Sequence, residues 1–274
     1  MNSYLQILIL CALTAAVGNT LASAPPERTP AGTPGGDFAT AQQLAMDIRQ
    51  MLEPKLRRLF PPSPVIEDLQ PVPAAWPVTP TETPDQIRGV VLTAGFIDFA
   101  NRVTHAWAID KMEPGYLDRY LGLLSRQTDG TDLPPLPDGA NEAYWTEQIR
   151  NAQLSAFNQI VGMVVSVNLA HHHLGQYEKH ADKLHAAPSG HLPLASVLSK
   201  GEWLKAMRTA TQHALDAGLG MTGYIAFCEA IDGMPTRPTW TEYFLPHDMK
   251  ASKVRSELRI LEAKFFSGRS IKDS

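Results

Sequence analysis

Cysteine is scarce in this chain. Of 274 residues only Cys11 and Cys228 are cysteine, so a mature form without the first two dozen residues keeps one thiol and no internal disulfide. Cys228, set among Ile225, Ala226, Phe227 and Ala230, reads as a small buried hydrophobe. Charge excess is also small. The net charge of −4 is spread without runs of one sign, which argues against a nucleic-acid footprint or attraction to an anionic membrane surface. No stretch alternates apolar and polar residues between hairpin turns, no repeat of fixed period is present, and neither a Ser-centred nucleophile elbow nor a P-loop occurs.

What is present is a large apolar fraction, 44%, enough for one sizeable core. Residues 1–24 have an apolar run near Ile7–Val17 followed by Ala22-Ser23-Ala24. That combination predicts a secretory signal peptide, although no Lys or Arg precedes the run, and it places the mature chain in the periplasm or outside the cell. The run is short for a bilayer span, so no transmembrane segment is expected in the mature protein. Large residues before Cys11 argue against lipidation there. Residues 25–36, PPERTPAGTPGG, form a Pro/Gly linker.

The remainder is expected to be all-α: one globular multi-helix domain from 37 to 268, with a tail at 269–274. Asp37 is placed to cap a first helix reaching about Phe60. Pro61 to Pro84 reads as an extended crossing, neither helix nor sheet. Ile87 to Ile109 reads as a second, strongly apolar helix. Gly115 to Arg126 is a short amphipathic helix, and Gln127 to Gly139 a loop. Asn141 is expected to cap a long helix with a break near Asn151. Ser199-Lys-Gly-Glu202 fits a capping box, opening a helix that ends at Gly218-Leu-Gly220. Thr222 caps the next, to about Ile231. The aromatic, proline-rich stretch Pro235–Pro246 is of the kind that seals a core, and a charged helix from Lys250 to Phe266 closes the chain. Gly218-Leu-Gly-Met-Thr-Gly223 matches GxGxxG letter for letter, but it follows a helix where the dinucleotide motif requires a strand.

Histidine is where the chemistry concentrates. Six of the nine histidines fall between 171 and 191: His171, His172, His173, His180, His185 and His191. They end a segment, Asn158 to His180, that begins as an apolar helix. At 100° per residue, Gln159, Gly162, Ser166, His173, Gln176, Tyr177 and His180 fall in one polar stripe. A buried helix with such a stripe has hydrogen-bond partners there or a site facing it. Asp98, Asn101, Arg102 and His105 share a stripe of their own, expected either to face solvent or to meet the His173 stripe. In the second case Asp98 orients His105 and Arg102 neutralises a carboxylate, making His173, Asp98 and His105 the candidate acid–base groups.

The segment His172-His173-Leu174-Gly175-Gln176 within AHHHLGQY resembles the HExxH active-site helix of zincin metallopeptidases. The likeness covers fewer than ten residues and departs at two of three defining positions. It implies a zinc cofactor with His172 as first ligand, His173 where the general-base Glu belongs, and Gln176 where the second His belongs. His180 is an alternative ligand, and an acid from the Asp216–Glu229 region, Asp216 or Glu229 themselves, would complete the shell. The departures imply a hydrolase of altered or lost activity. Asp182 and His185 lack the paired Glu-x-x-His pattern of a di-iron bundle. Two other readings stand beside this one: a non-catalytic binding or scaffold protein with a structural histidine network, and a pH-responsive histidine cluster.

Overall fold

The computed structural model describes residues 34–82, 88–185 and 192–268, all within one compact unit spanning residues 31–274. The expected export segment 1–24, the first part of the linker, the expected helix start at Ile87, the expected helix stop at Pro188–Gly190, His191 and the tail 269–274 lie outside the described residues. The architecture is mostly helical with one small sheet. Its elements run α1 (Pro34–Met51), α2 (Pro54–Arg57), β1 (Val65–Asp68), β2 (Ala75–Val78), β3 (Gly89–Thr93), α3 (Ala94–Asp110), α4 (Tyr116–Leu124), α5 (Glu147–His173), α6 (Gln176–His185), α7 (Lys200–Asp216), α8 (Thr222–Asp232) and α9 (Ala251–Phe266). Among the described residues no helix is long and apolar enough to cross a membrane.

The sheet corrects the all-α expectation. Its order is β1-β3-β2, with β1 parallel and β2 antiparallel to β3. Val65 pairs with Val90, and Ala75 with Leu92. The proline-dense stretch that read as an unpaired crossing therefore supplies both edge strands. Pro77 is tolerated because β2 is an edge, where a missing N–H costs no ladder bond. The apolar run expected to be all helix from Ile87 to Ile109 splits at Thr93, which does two jobs. Its Oγ1 accepts from Phe96 N at 3.0 Å, capping α3, and donates to Val72 O at 2.7 Å. Strand and helix are both buried here, so no change in amphipathic period marks the boundary.

Gly89 opens β3 for a steric reason. A Cβ there would come within 2.3 Å of the Pro64 carbonyl oxygen, so only glycine lets the two backbones close, with Val90 N donating to that same oxygen at 2.8 Å.

The core is organised around α5, which at 27 residues is about 40 Å long. Every residue from Ile160 to His172 is buried, because α1, α3, α7, α8 and the sheet pack around it. Thr146 caps it, accepting from Ile149 N, and it continues past Asn151 without the expected break; Asn141 instead caps a short 3₁₀ turn, Glu142–Trp145. Helix α1 begins at Pro34, so Asp37 lies inside it, and it ends at Met51 ahead of Pro54.

The C-terminal helices follow the sequence pattern except at α8, where Thr222 is the first helical residue and Met221 stands at the cap position without a side-chain bond. The Ser199/Glu202 capping box forms, Gly218 is left-handed at φ 80° just beyond α7, and Trp240, Phe244 and Leu245 seal the core beside Phe99 and Phe227.

Candidate functional site

The histidine cluster sits where α5 stops. Leu174 N bonds to Ala170 O at 2.9 Å and Gly175 N to His172 O at 3.1 Å, and Gly175 adopts φ 63°, the left-handed turn that terminates helices at little cost for glycine. Helix α6 then starts afresh at Gln176. Any helical wheel continued through Gly175 is therefore invalid, and the i, i+4 relation between His172 and Gln176, on which the zincin likeness depends, does not exist in space as a helical one.

His171 is fully enclosed. Its Nδ1 lies 2.7 Å from Gln176 Oε1, and Gln176 Nε2 donates to the Glu202 backbone carbonyl at 2.9 Å. Because the amide nitrogen is the donor there, Oε1 accepts and His171 donates Nδ1–H. Burial lowers its pKa to about 4, with the neighbouring His172 adding to the effect and the Gln176 bond opposing it, so the ring is neutral. It borders a cavity of about 20 Å³ between α5, α8 and the segment before α7, shared with Asn168, Trp203, Tyr224 and Tyr243. That is room for about one water molecule, far below the volume of a ligand pocket.

His172 faces the sheet. Its Nε2 donates to the Gly89 carbonyl at 3.1 Å, Nδ1 lies 3.4 Å from Glu178 Oε1, and the ring is held edge-on by Phe60 and Tyr177 at 5.8 and 5.6 Å. Arg88 Nη2 approaches the same Glu178 oxygen at 3.3 Å. Burial pushes the Glu178 carboxyl up, but the bonds from His172 and its own backbone, with Arg88 nearby, hold it below its ordinary value. Tyr177 donates to Glu82 Oε1 at 2.6 Å. Helix α6 is pinned to the start of α7 as well: Lys179 Nζ bonds Glu202 Oε1 at 2.6 Å, and buried His180 lies 3.5 Å from that oxygen.

His173 points the other way. It is exposed and lies across from His213 of α7, ring centroids 5.9 Å apart. The stripe behind it, Gln159–Gly162–Ser166, packs on the α7–α8 connection. Gln159 Oε1 accepts from Gly223 N at 2.6 Å, one of the unsatisfied amides at the start of α8, and a Cβ on Gly162 would strike Leu219. The stripe joins helices and does not open into a groove.

The second stripe never meets it. Asp98 binds Arg102 through two contacts of 2.8 Å, and Arg102 fastens the 127–139 loop by donating to Leu133 O and Pro134 O. His105 instead donates Nδ1–H to Gln153 Oε1 at 2.6 Å and stacks near Trp145. Gln153 lies about 30 Å from His173 along the α5 axis. Asp98, His105 and His173 thus form no common acid–base site. The metal set fares likewise. Asp216 bonds Gln212 at the end of α7, and Glu229 pairs with Arg255 of α9. His172 and Gln176 have their donor atoms engaged within the chain. Among the described residues no group of three or more His, Cys, Asp or Glu side chains is arranged to hold a metal ion, so the zincin ligand set does not fit this geometry.

Sequence reasoning gave Glu202 its capping role alone and missed Gly89, Glu82 and His213. Only His213 left a trace: it follows Ala206 and Ala210 at helical spacing, on the buried side of α7. Comparison with family models, curated proteins and solved structures returns no match.

Proposed function

We propose that this is an exported, non-catalytic helical protein of the binding or scaffold type, in which the α5 histidines serve as a structural network. Export rests on the signal-peptide pattern of residues 1–24. The structural role rests on one observation above others: the Gln176 amide is bonded at both ends, to His171 and to the Glu202 carbonyl, and His172 Nε2 is bonded to Gly89, so the atoms His172 and Gln176 would offer in the zincin ligand set are taken. Together they tie α6, α7 and β3 to the end of α5. A zinc hydrolase built on the same segment would first have to release His172 from Gly89 and Gln176 from Glu202, orphaning buried donors and acceptors at about 1–3 kcal/mol each.

The test is Gln176→Leu, measured by chemical denaturation in the presence of a chelator. Removing the amide leaves the buried His171 Nδ1–H unpaired and takes a second donor from the Glu202 carbonyl, so stability should fall by about 1–3 kcal/mol. Stability equal to the parent's would overturn the structural reading.

A further inference from the structure

One pair of histidines is left out of that network. His173 ends α5 and His213 lies in the last turn of α7, helices that pack side by side. Their ring centroids are 5.9 Å apart, with the planes inclined by 19° in a stacked arrangement, so the exposed His173 ring must turn about its side-chain bonds for both in-plane lone pairs to meet at one ion. Two imidazoles sharing one ion, with metal–nitrogen bonds of ~2.0–2.1 Å, have centroids separated by roughly 5–6 Å. His213 is 9% exposed, yet among the described residues its buried Nδ1 has no hydrogen-bond partner, an unusual state that a bound water or a metal ion would relieve. His173, being exposed, leaves the approach open to solvent.

We propose that His173 and His213 form a two-imidazole clamp for a divalent transition-metal cation of the zinc, nickel and copper class. Imidazole suits these ions, whereas magnesium and calcium select oxygen donors. Burial lowers both rings' affinity for protons, which keeps lone pairs available near neutral pH. The field around them comes from three charged or titratable sources: the Glu53 carboxylate, which attracts a cation to both rings, Lys205, which opposes it at His173, and His173 itself, which acts on His213. With two protein donors the ion keeps water in its other positions, so binding is reversible and the metal joins the end of α5 to α7 from outside the core. The clamp is separate from the His171–His172 network and does not depend on it.

The test uses tag-free full-length protein stripped with a chelator, then titrated with zinc chloride or nickel chloride at about pH 7.5 and followed by calorimetry and thermal unfolding. One saturable equivalent is expected, with a rise in melting midpoint of about 5 °C at a hundredfold excess over Kd. His173→Gln, at an exposed position, should weaken binding at least ~10-fold, a loss of one coordinate bond. His213→Gln should do the same, while His247→Gln, at an exposed histidine elsewhere, should bind like the parent. The proposal is overturned if the parent shows no saturable binding up to about 1 mM metal, or if His173→Gln binds as tightly as the parent. Should His213→Gln not fold, His173→Gln alone decides.

Discussion

On one side of the α5 terminus, His171 and His172 are buried and bonded to Gln176 and to the Gly89 carbonyl. On the other side, among the described residues, the His173 and His213 rings face each other without a hydrogen bond, with Glu53 acting on both and Lys205 on His173. The three consecutive histidines are chemically alike, and a helical advance of 100° per residue sends them into different surroundings. What separates the two sides is whether a backbone or amide acceptor waits at the end of the ring. Where one does, imidazole acts as a cross-link between elements; where none does, the ring bonds to neither element and both its nitrogens stay uncommitted.

The harshest way to break the comparison is Gly89→Ala. The new Cβ would meet the Pro64 backbone oxygen at 2.3 Å, and relieving that clash must move β3 away from β1 and its carbonyl away from His172. A loss above ~3 kcal/mol is expected, beyond ordinary overpacking, read as a collapse of the denaturation midpoint. A variant within 1 kcal/mol of the parent would mean that the strand end yields freely.

His172→Ala comes next. It removes a buried ring, its contacts with Phe60 and Tyr177, and the partner of Gly89, with an expected cost of about 2–4 kcal/mol that chelator does not change.

A pH series sharpens the contrast with a histidine far from both sides. Burial lowers His105 from its ordinary 6.5, against the opposing bond to Gln153. The folded protein therefore binds fewer protons than the unfolded chain once pH falls below about 6.5, and stability must decline from there toward the lowered folded value. His105→Gln should flatten that part of the stability curve; an unchanged acid slope would remove His105 as a contributor.

The smallest effect belongs to His173→Gln in chelator. Exposed and without a hydrogen bond that a stability measurement would register, it should stay within ~0.5 kcal/mol of the parent. A larger loss would place His173 in the structural network after all.

Helices α4, α7, α8 and α9 were readable because each has a local stop or start: the Ser199/Glu202 box, the glycines after Asp216, and clear apolar periodicity. The sheet was not. Its strands are four and five residues long, and Gly89–Thr93 runs straight into the equally buried face of α3, so nothing in the local pattern separates strand from helix. The site failed at a single residue. Placing Gln176 and His180 on the same wheel as His173 required a continuous helix, whereas Gly175, an ordinary helix stop, reset the direction. Partners such as Glu202 and Gly89 lie 26 and 83 residues away from the groups they bind, and no local pattern announces a contact of that span.

The His172–Gly89 bond also bears on the order in which the molecule assembles. Three strands of this length have little stability alone, and the contact holding β3 to α5 closes a loop of 83 residues. Contacts of such separation form late, after local helices have gained most of their structure. The amides of Val90 and Leu92 should accordingly become shielded from solvent exchange in a slower step than those in the middle of α5. The smallest element of the fold would then be the one that reports when folding is complete.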